Sequence, residues 1–170
     1  PKALTMEQGL AEELDSNSAV QNWGAVYTKS TTIYNAEGES ASVSIVAAAK
    51  DSDLTRYVTF RTRKGHKAIG FDSGSVILTE KTAENLGLHT GDTFWVENTE
   101  GARVELTLTG ITENYMFTRL YLPRAQLESL LGTAEIPWNT VYGQTTCTDA
   151  AGYNTLRTDL LACNYVSGVS

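Results

Sequence analysis

An α+β fold, with a discontinuous mixed α/β base carrying an inserted, small, β-rich and barrel-like subdomain, is predicted by three features of this sequence. Helix-period patterning is confined to segments near the two ends. The middle is a succession of short alternating segments separated by turn residues. Between Ser75 and Asn98 the chain also reads, without interruption, as strand, helix, glycine stop, tight turn and second strand. The base is expected over residues 1–53 and 123–170 and the insert over 54–122.

Taken in order, Leu4, Met6, Leu10, Ala11 and Leu14 recur at helical spacing, and the polar cluster Asp15–Ser18 ends that helix. β-Branched and aromatic residues from Ala25 to Tyr34 predict a strand. A polar turn over Asn35–Ser40 then leads to a second strand, Ala41–Ala48, so the two form a hairpin. Leu54–Arg63 contains the alternating run RYVTFRTR, read as another strand in which Val58 and Phe60 share a face. Gly65–Gly74 is turn-rich.

In the central run, Thr79 follows Val76, Ile77 and Leu78 and is placed to cap a short helix with its hydroxyl, with Glu80 near the helix's positive end. Gly87 stops that helix. In the left-handed conformation it would let Leu88 fold back onto Ala83, and its loss is expected to cost about 1 kcal/mol or more. Thr90, Gly91 and Asp92 form a turn with Gly91 at positive φ, and Phe94, Trp95 and Val96 suit the strand that follows. After a turn at Asn98–Gly101, the segment Arg103–Ile111 puts Val104, Leu106 and Leu108 on one face and Glu105, Thr107 and Thr109 on the other. Such alternation implies a sheet packed on one side only.

Arg119–Leu122 is a further short strand, Pro123 suits the first turn of a helix over Arg124–Leu131, and Gly132 terminates it. Trp138–Gln144 reads as a strand, Asp149–Cys163 as an amphipathic helix through Leu156, Leu160 and Leu161, and Tyr165–Val169 as a last strand.

A chain of 170 residues can bury roughly 70% of the surface its unfolded form exposes, so it needs no disulfide framework. The net charge of −7 argues against a nucleic-acid surface. The basic cluster Arg56, Arg61, Arg63, Lys64 and Lys67 reads as a solvated face. Cys147 and Cys163 flank a predicted helix and could close one disulfide outside the cytoplasm or stand as two reduced, buried thiols; their spacing leaves both open. The sequence starts at Pro1 with no signal-peptide pattern, which suggests an excerpt or a processed product. Its longest apolar run, around Ile45–Ala49, is far short of the ~20 residues that span a bilayer.

Several segments imitate catalytic ones. Ile69–Ser75 contains Asp72-Ser73-Gly74, as in aspartic proteases, but that chemistry needs a second aspartate sharing the proton and the chain has one copy. A serine–glycine turn with a capping aspartate accounts for it. Cysteine–histidine pairs from Cys147 or Cys163 with His66 or His89 lack any local signature, and with two histidines a structural zinc site has poor support. Asp51 and Asp53 lack calcium-loop spacing and read as a turn or helix cap. Trp95, Tyr115, Phe117 and Tyr121 could line a ligand surface, but strand aromatics belong more often to a core. No catalytic, cofactor-binding or metal residue is therefore assigned, no cofactor is expected, and the chain is read as a non-enzyme.

The run from Leu54 to Leu131 resembles the extracytoplasmic, MacB-like periplasmic core domain of FtsX-like ABC transporter permeases, in particular the long permeases of Gram-positive bacteria. That family's motifs "isekla", "lGlkvGDt" and "vtgive" correspond here to Leu78–Ala83, Leu86–Thr93 and Leu108–Glu113. The resemblance implies a non-catalytic domain on the extracytoplasmic face of the cell membrane, set between two transmembrane helices of its own permease chain. A separate cytoplasmic ATPase would supply energy indirectly. Its role would be to couple helix motion to substrate export, sensing or partner recognition, with an extracellular peptide or lipid as the substrate class and no nucleic acid as partner. The alternative is a free-standing extracellular module whose barrel-like core recognises a peptide, glycan or lipid.

Overall fold

A computed structural model describes residues 6–114 and 116–170. Leu4 of the first predicted helix and Tyr115 of the aromatic set lie outside the described residues. The elements run α1 (Met6–Ser16), β1 (Val20–Tyr34), β2 (Ser40–Ala48), α2 (Asp51–Tyr57), β3 (Ile77–Thr79), α3 (Glu80–Asn85), β4 (Thr93–Glu97), β5 (Arg103–Thr107), β6 (Gly110–Thr112), β7 (Arg119–Tyr121), α4 (Arg124–Leu131), β8 (Thr140–Thr145) and α5 (Ala150–Ala162). Among the described residues the strands form one mixed sheet in the order β5-β4-β1-β2-β7-β3-β6, with β8 also paired to β1. The fold is α+β, as expected. Two compact units divide the chain: residues up to 23 with 142–170, and residues 24–141.

In the larger unit, the β1–β2 hairpin is antiparallel with Ile33 opposite Ala41 and Val26 opposite Ala48. β2 also pairs in parallel with β7, which makes it an interior strand. Val46 and Ala48 are consequently buried along with Val43, Ile45 and Ala47, so alternation fades where both faces are covered. The core joins Ile33, Ile45, Leu78, Phe94, Val96, Leu120, Leu122 and Leu127. Burying each such side chain contributes roughly 1.5–3 kcal/mol.

The central run folds as expected at its two glycines. Gly87 has φ +61°; Leu88 N donates to Ala83 O at 2.8 Å and Gly87 N to Glu84 O at 3.1 Å. These two bonds are the Schellman pair, and a residue with a Cβ would be strained at that φ. Gly91 has φ +99°, and in the same turn Asp92 Oδ2 accepts from His89 N at 2.8 Å.

Four expectations are corrected. Leu54–Arg63 is not a strand: its first part belongs to α2, with Asp51 and Asp53 in the first turn and Leu54 fully buried, followed by irregular chain and a single bridge, Arg61 to Ala68. Acidic residues at the positive end and one anchored leucine outweigh the alternation. The segment Arg103–Ile111 is not one strand. β5 pairs with β4, the chain turns at Leu108 and Thr109, and β6 pairs with β3 instead. Thr109 N and Oγ1 both donate to Val76 O there. The alternation itself holds, with Leu106 and Leu108 buried and Glu105, Thr107 and Thr109 exposed. Tyr165–Val169 is irregular, since β-branched and aromatic residues stabilise a strand only where a ladder neighbour exists. Finally, the Thr79 side chain caps no backbone N–H of α3; its hydroxyl accepts from Arg119 N at 3.0 Å and meets Thr82 Oγ1 at 3.3 Å.

In the smaller unit, α1 buries Leu14 and α5 buries Leu156. Asp149 caps α5, accepting from Gly152 N at 2.7 Å. Trp23 Nε1 donates to Asp15 Oδ1 at 2.7 Å, and Asn22 Nδ2 donates to Gln144 Oε1 at 2.8 Å. Thr146 N donates to Ala19 O at 3.0 Å.

Candidate functional site

The catalytic lookalikes resolve into local structure. Asp72 Oδ1 accepts from Gly74 N at 2.9 Å, and Asp72 N donates to Ser75 Oγ at 2.9 Å. This is an Asx turn on an exposed loop. Asp51 Oδ1 accepts from Arg124 N at 2.8 Å, supplying the cap that Pro123 cannot provide for α4. Asp53 lies 3.6 Å from Arg56.

Neither histidine stands beside a cysteine in any described contact. His66 Nδ1 is 3.6 Å from Glu113 Oε1 and His89 Nδ1 is 3.5 Å from Asp92 Oδ2. Both cysteines are free thiols, half-buried. Cys147 Sγ lies 3.3 Å from where a Cβ on Gly152 would stand, at the start of α5, whereas Cys163 caps its other end. A 13-residue helix is about 20 Å long, far beyond the 4.4–6.8 Å between bridged Cα atoms. Of the two readings left open, the free thiols are the ones found. Among the described residues no group of three or more His, Cys, Asp and Glu side chains could hold a metal ion.

The aromatic residues part company. Tyr121 is core, 1% exposed, edge-on to Phe60 with ring centroids 5.0 Å apart. Trp95 is half-buried on β4. Phe117 is 51% exposed and its neighbour Met116 is 82% exposed. Arg119 lays its guanidinium 4.4 Å from the Phe117 ring centroid.

This exposed pair belongs to a set of loops gathered at one end of the sheet. β3 and β6 run in parallel with Thr79 beside Thr112, and β7 runs against β3 with Leu78 beside Leu120. The ends of β3 and β6 and the start of β7 therefore coincide. Onto them is fastened the basic loop, closed by Thr62 N donating to Lys67 O at 2.9 Å. Arg61 N donates to Thr112 Oγ1 at 3.2 Å, Glu113 N donates to Arg61 O at 2.9 Å, and the Arg61 and Glu113 side chains form an ion pair. Arg63 Nε pairs with Glu80 at 2.6 Å. Two of the basic side chains are thus held by acids; the side chains of Lys64 and Lys67 enter no ion pair among the described residues. Sequence reasoning placed the basic residues on a solvated face, which they occupy, but did not single out Met116. The available signal was the run Tyr115-Met116-Phe117 directly after Asn114, a turn former.

Elsewhere in the larger unit, a groove of about 300 Å³ is lined by Tyr27, Lys29, Thr31, Ile45, Glu97 and Leu130. Glu97 is engaged by the Tyr34 hydroxyl at 2.9 Å. The smaller unit holds the described residues nearest both chain ends, and there Gly9 of α1 meets Tyr165: a Cβ on Gly9 would stand 2.5 Å from the Tyr165 ring.

No family model matches the sequence, and no curated protein does. Solved structures match in fold. The extracellular domain of the noncanonic ABC-type transporter YknZ from Gram-positive bacteria superposes with a TM-score of 0.58 and 19% identity, over 93% of this chain and 81% of that one. The periplasmic region of MacB from Actinobacillus actinomycetemcomitans superposes with a TM-score of 0.51 and 12% identity, over 92% of this chain and 72% of that one. The chain thus has the fold of MacB-like extracytoplasmic domains of ABC transporter permeases, as the motif order in its middle implies.

Proposed function

We propose that this chain is a non-catalytic extracytoplasmic domain of an FtsX/MacB-type ABC transporter permease, coupling the motion of flanking transmembrane helices to substrate export, sensing or partner recognition. The observation that carries the reading is the fold likeness to the YknZ extracellular domain over 93% of the chain. A second observation supports it: the residues nearest the two chain ends share one compact unit. A domain set between two membrane helices must return its chain to the surface it left, and ends at opposite poles would argue against such an insertion.

The elements suit a mechanical role. α1 leads into β1 and β8 leads into α5, so a displacement at either chain end acts along strand backbone held by ladder hydrogen bonds. Close-packed interiors transmit such strain without absorbing it. Energy would come from a cytoplasmic ATPase, and the partners in this reading are the rest of the permease chain and an extracellular peptide or lipid.

The full reading frame tests the proposal, together with surface labelling of the full-length protein. An apolar helix of about 20 residues is expected on each side of this segment, with an ATPase gene adjacent. A cysteine at the exposed Ser129 should react with a membrane-impermeant maleimide on intact cells. Labelling only after lysis, or flanks without apolar helices, would overturn the permease reading; the second result would favour the free-standing module.

A further inference from the structure

We infer that the loop cluster where β3 and β6 end and β7 begins docks on an anionic lipid surface, with Met116 and Phe117 entering the interface and the Arg61–Lys67 loop lying against headgroup phosphates. The inference rests on the membrane-tethered reading above, because such a surface must lie within reach.

Asn114 Oδ1 accepts from both Met116 N, at 3.0 Å, and Phe117 N, at 3.1 Å, and this tight turn directs the two apolar side chains outward. Just beyond them Leu120, Tyr121 and Leu122 are fully buried, so the exposure belongs to the turn and not to a loosely packed region. The basic loop is fixed beside that turn through Glu113, whose backbone and side chain both hold Arg61. The two features therefore form one patch.

Its charge is opposite to that of the chain. Against a net charge of −7, the stretch from Thr55 to Phe71 contains five lysines and arginines and no acidic residue. Asp53, Glu113 and Glu80 offset Arg56, Arg61 and Arg63, which leaves Lys64 and Lys67 as the uncompensated cations at the tip. A cationic rim around exposed Phe and Met matches a bilayer interface, where aromatic rings sit at headgroup level, lysine stems reach along apolar surface and anionic lipids attract the ammonium groups. Free phosphate would use the cations and leave Phe117 and Met116 in water. A helical peptide partner needs an apolar groove, whereas these side chains stand out from a turn.

The test is sedimentation of the 170-residue chain with vesicles of phosphatidylglycerol and phosphatidylcholine, against vesicles of phosphatidylcholine alone, at low and at high salt. Binding is expected to the anionic vesicles only, and to weaken with salt. Lys64→Glu with Lys67→Glu should lower the affinity at least thirtyfold, roughly the effect of two cations at an anionic surface. Met116→Ser with Phe117→Ser should remove the binding that survives high salt. All four side chains are exposed, so circular dichroism should stay unchanged. The inference is overturned by an absence of binding to anionic vesicles, by equal binding to both vesicle types, by variants that bind like the unaltered chain, or by full displacement with inorganic phosphate. Capture of an acidic amphipathic peptide without vesicle binding also overturns it. Vesicle binding by a chain whose reading frame lacks membrane helices would sink the permease reading alone; flanking helices without vesicle binding would sink this inference alone.

Discussion

Thr79 shows how far a residue's local signal carries. Its position before a helix was legible, but the partner of its hydroxyl was not, because Arg119 is 40 residues away. Removing that hydroxyl leaves the N–H of Arg119 unpaired beside a fully buried site, a loss of about 1–3 kcal/mol. Thr79→Ala should therefore lower the urea midpoint clearly while Thr79→Ser retains most of the stability; equal effects would refute this role. Gly87 is the contrasting case: both Schellman bonds lie within six residues, so the glycine disclosed them in advance. Tyr27, at 3% exposed, carries a pH dependence instead. Burial raises its phenol above the ordinary value of 10.0. Below about pH 10 both folded and unfolded states keep the proton and nothing changes. As pH climbs from there through the folded-state value, the unfolded chain ionises first and stability falls. Urea midpoints at about pH 9 and about pH 11 should show a smaller drop for Tyr27→Phe than for the unaltered protein.

At the scale of elements, the corrections share a cause. Alternation over Arg103–Ile111 correctly reported which side chains are buried, yet the strand changes partner from β4 to β3 midway, and a period of two contains no information about the neighbour. The Tyr165–Val169 segment has strand composition and no strand to join. It packs by a side chain instead: Tyr165 occupies the space above Gly9. Gly9→Ala would push the ring aside, and Tyr165→Ala would empty the same place. Thermal unfolding of the two single variants and the double variant should show strong non-additivity, with at least about 0.5 kcal/mol of coupling. Additive effects would mean that α1 and the Tyr165 segment do not meet. In α2, the acidic first turn is a cap signal, although the cap bond that Asp51 supplies serves α4.

For the whole molecule, the thiols offer a direct check. Cys147 and Cys163 stand at opposite ends of α5 and cannot bridge while that helix is formed. After purification in air, denatured protein should titrate two thiols per chain; a single intramolecular disulfide would refute the placement of α5. The candidate site was only partly legible. The basic loop and Phe117 are visible in the sequence, but their convergence depends on Arg61 reaching Thr112 and Glu113 some fifty residues away. By itself the sequence determined the α+β class, the hairpin, the capped helix at Gly87, the alternation of the middle and the resemblance to permease domains, since each rests on local patterns or on the order of short motifs along the chain. The tertiary structure alone decided which strands are neighbours, that the cysteines stay apart, and that a cationic loop and two exposed apolar side chains form one patch. These follow from contacts between distant segments, whose energies depend on the packing of the folded chain and leave no local period or spacing to read.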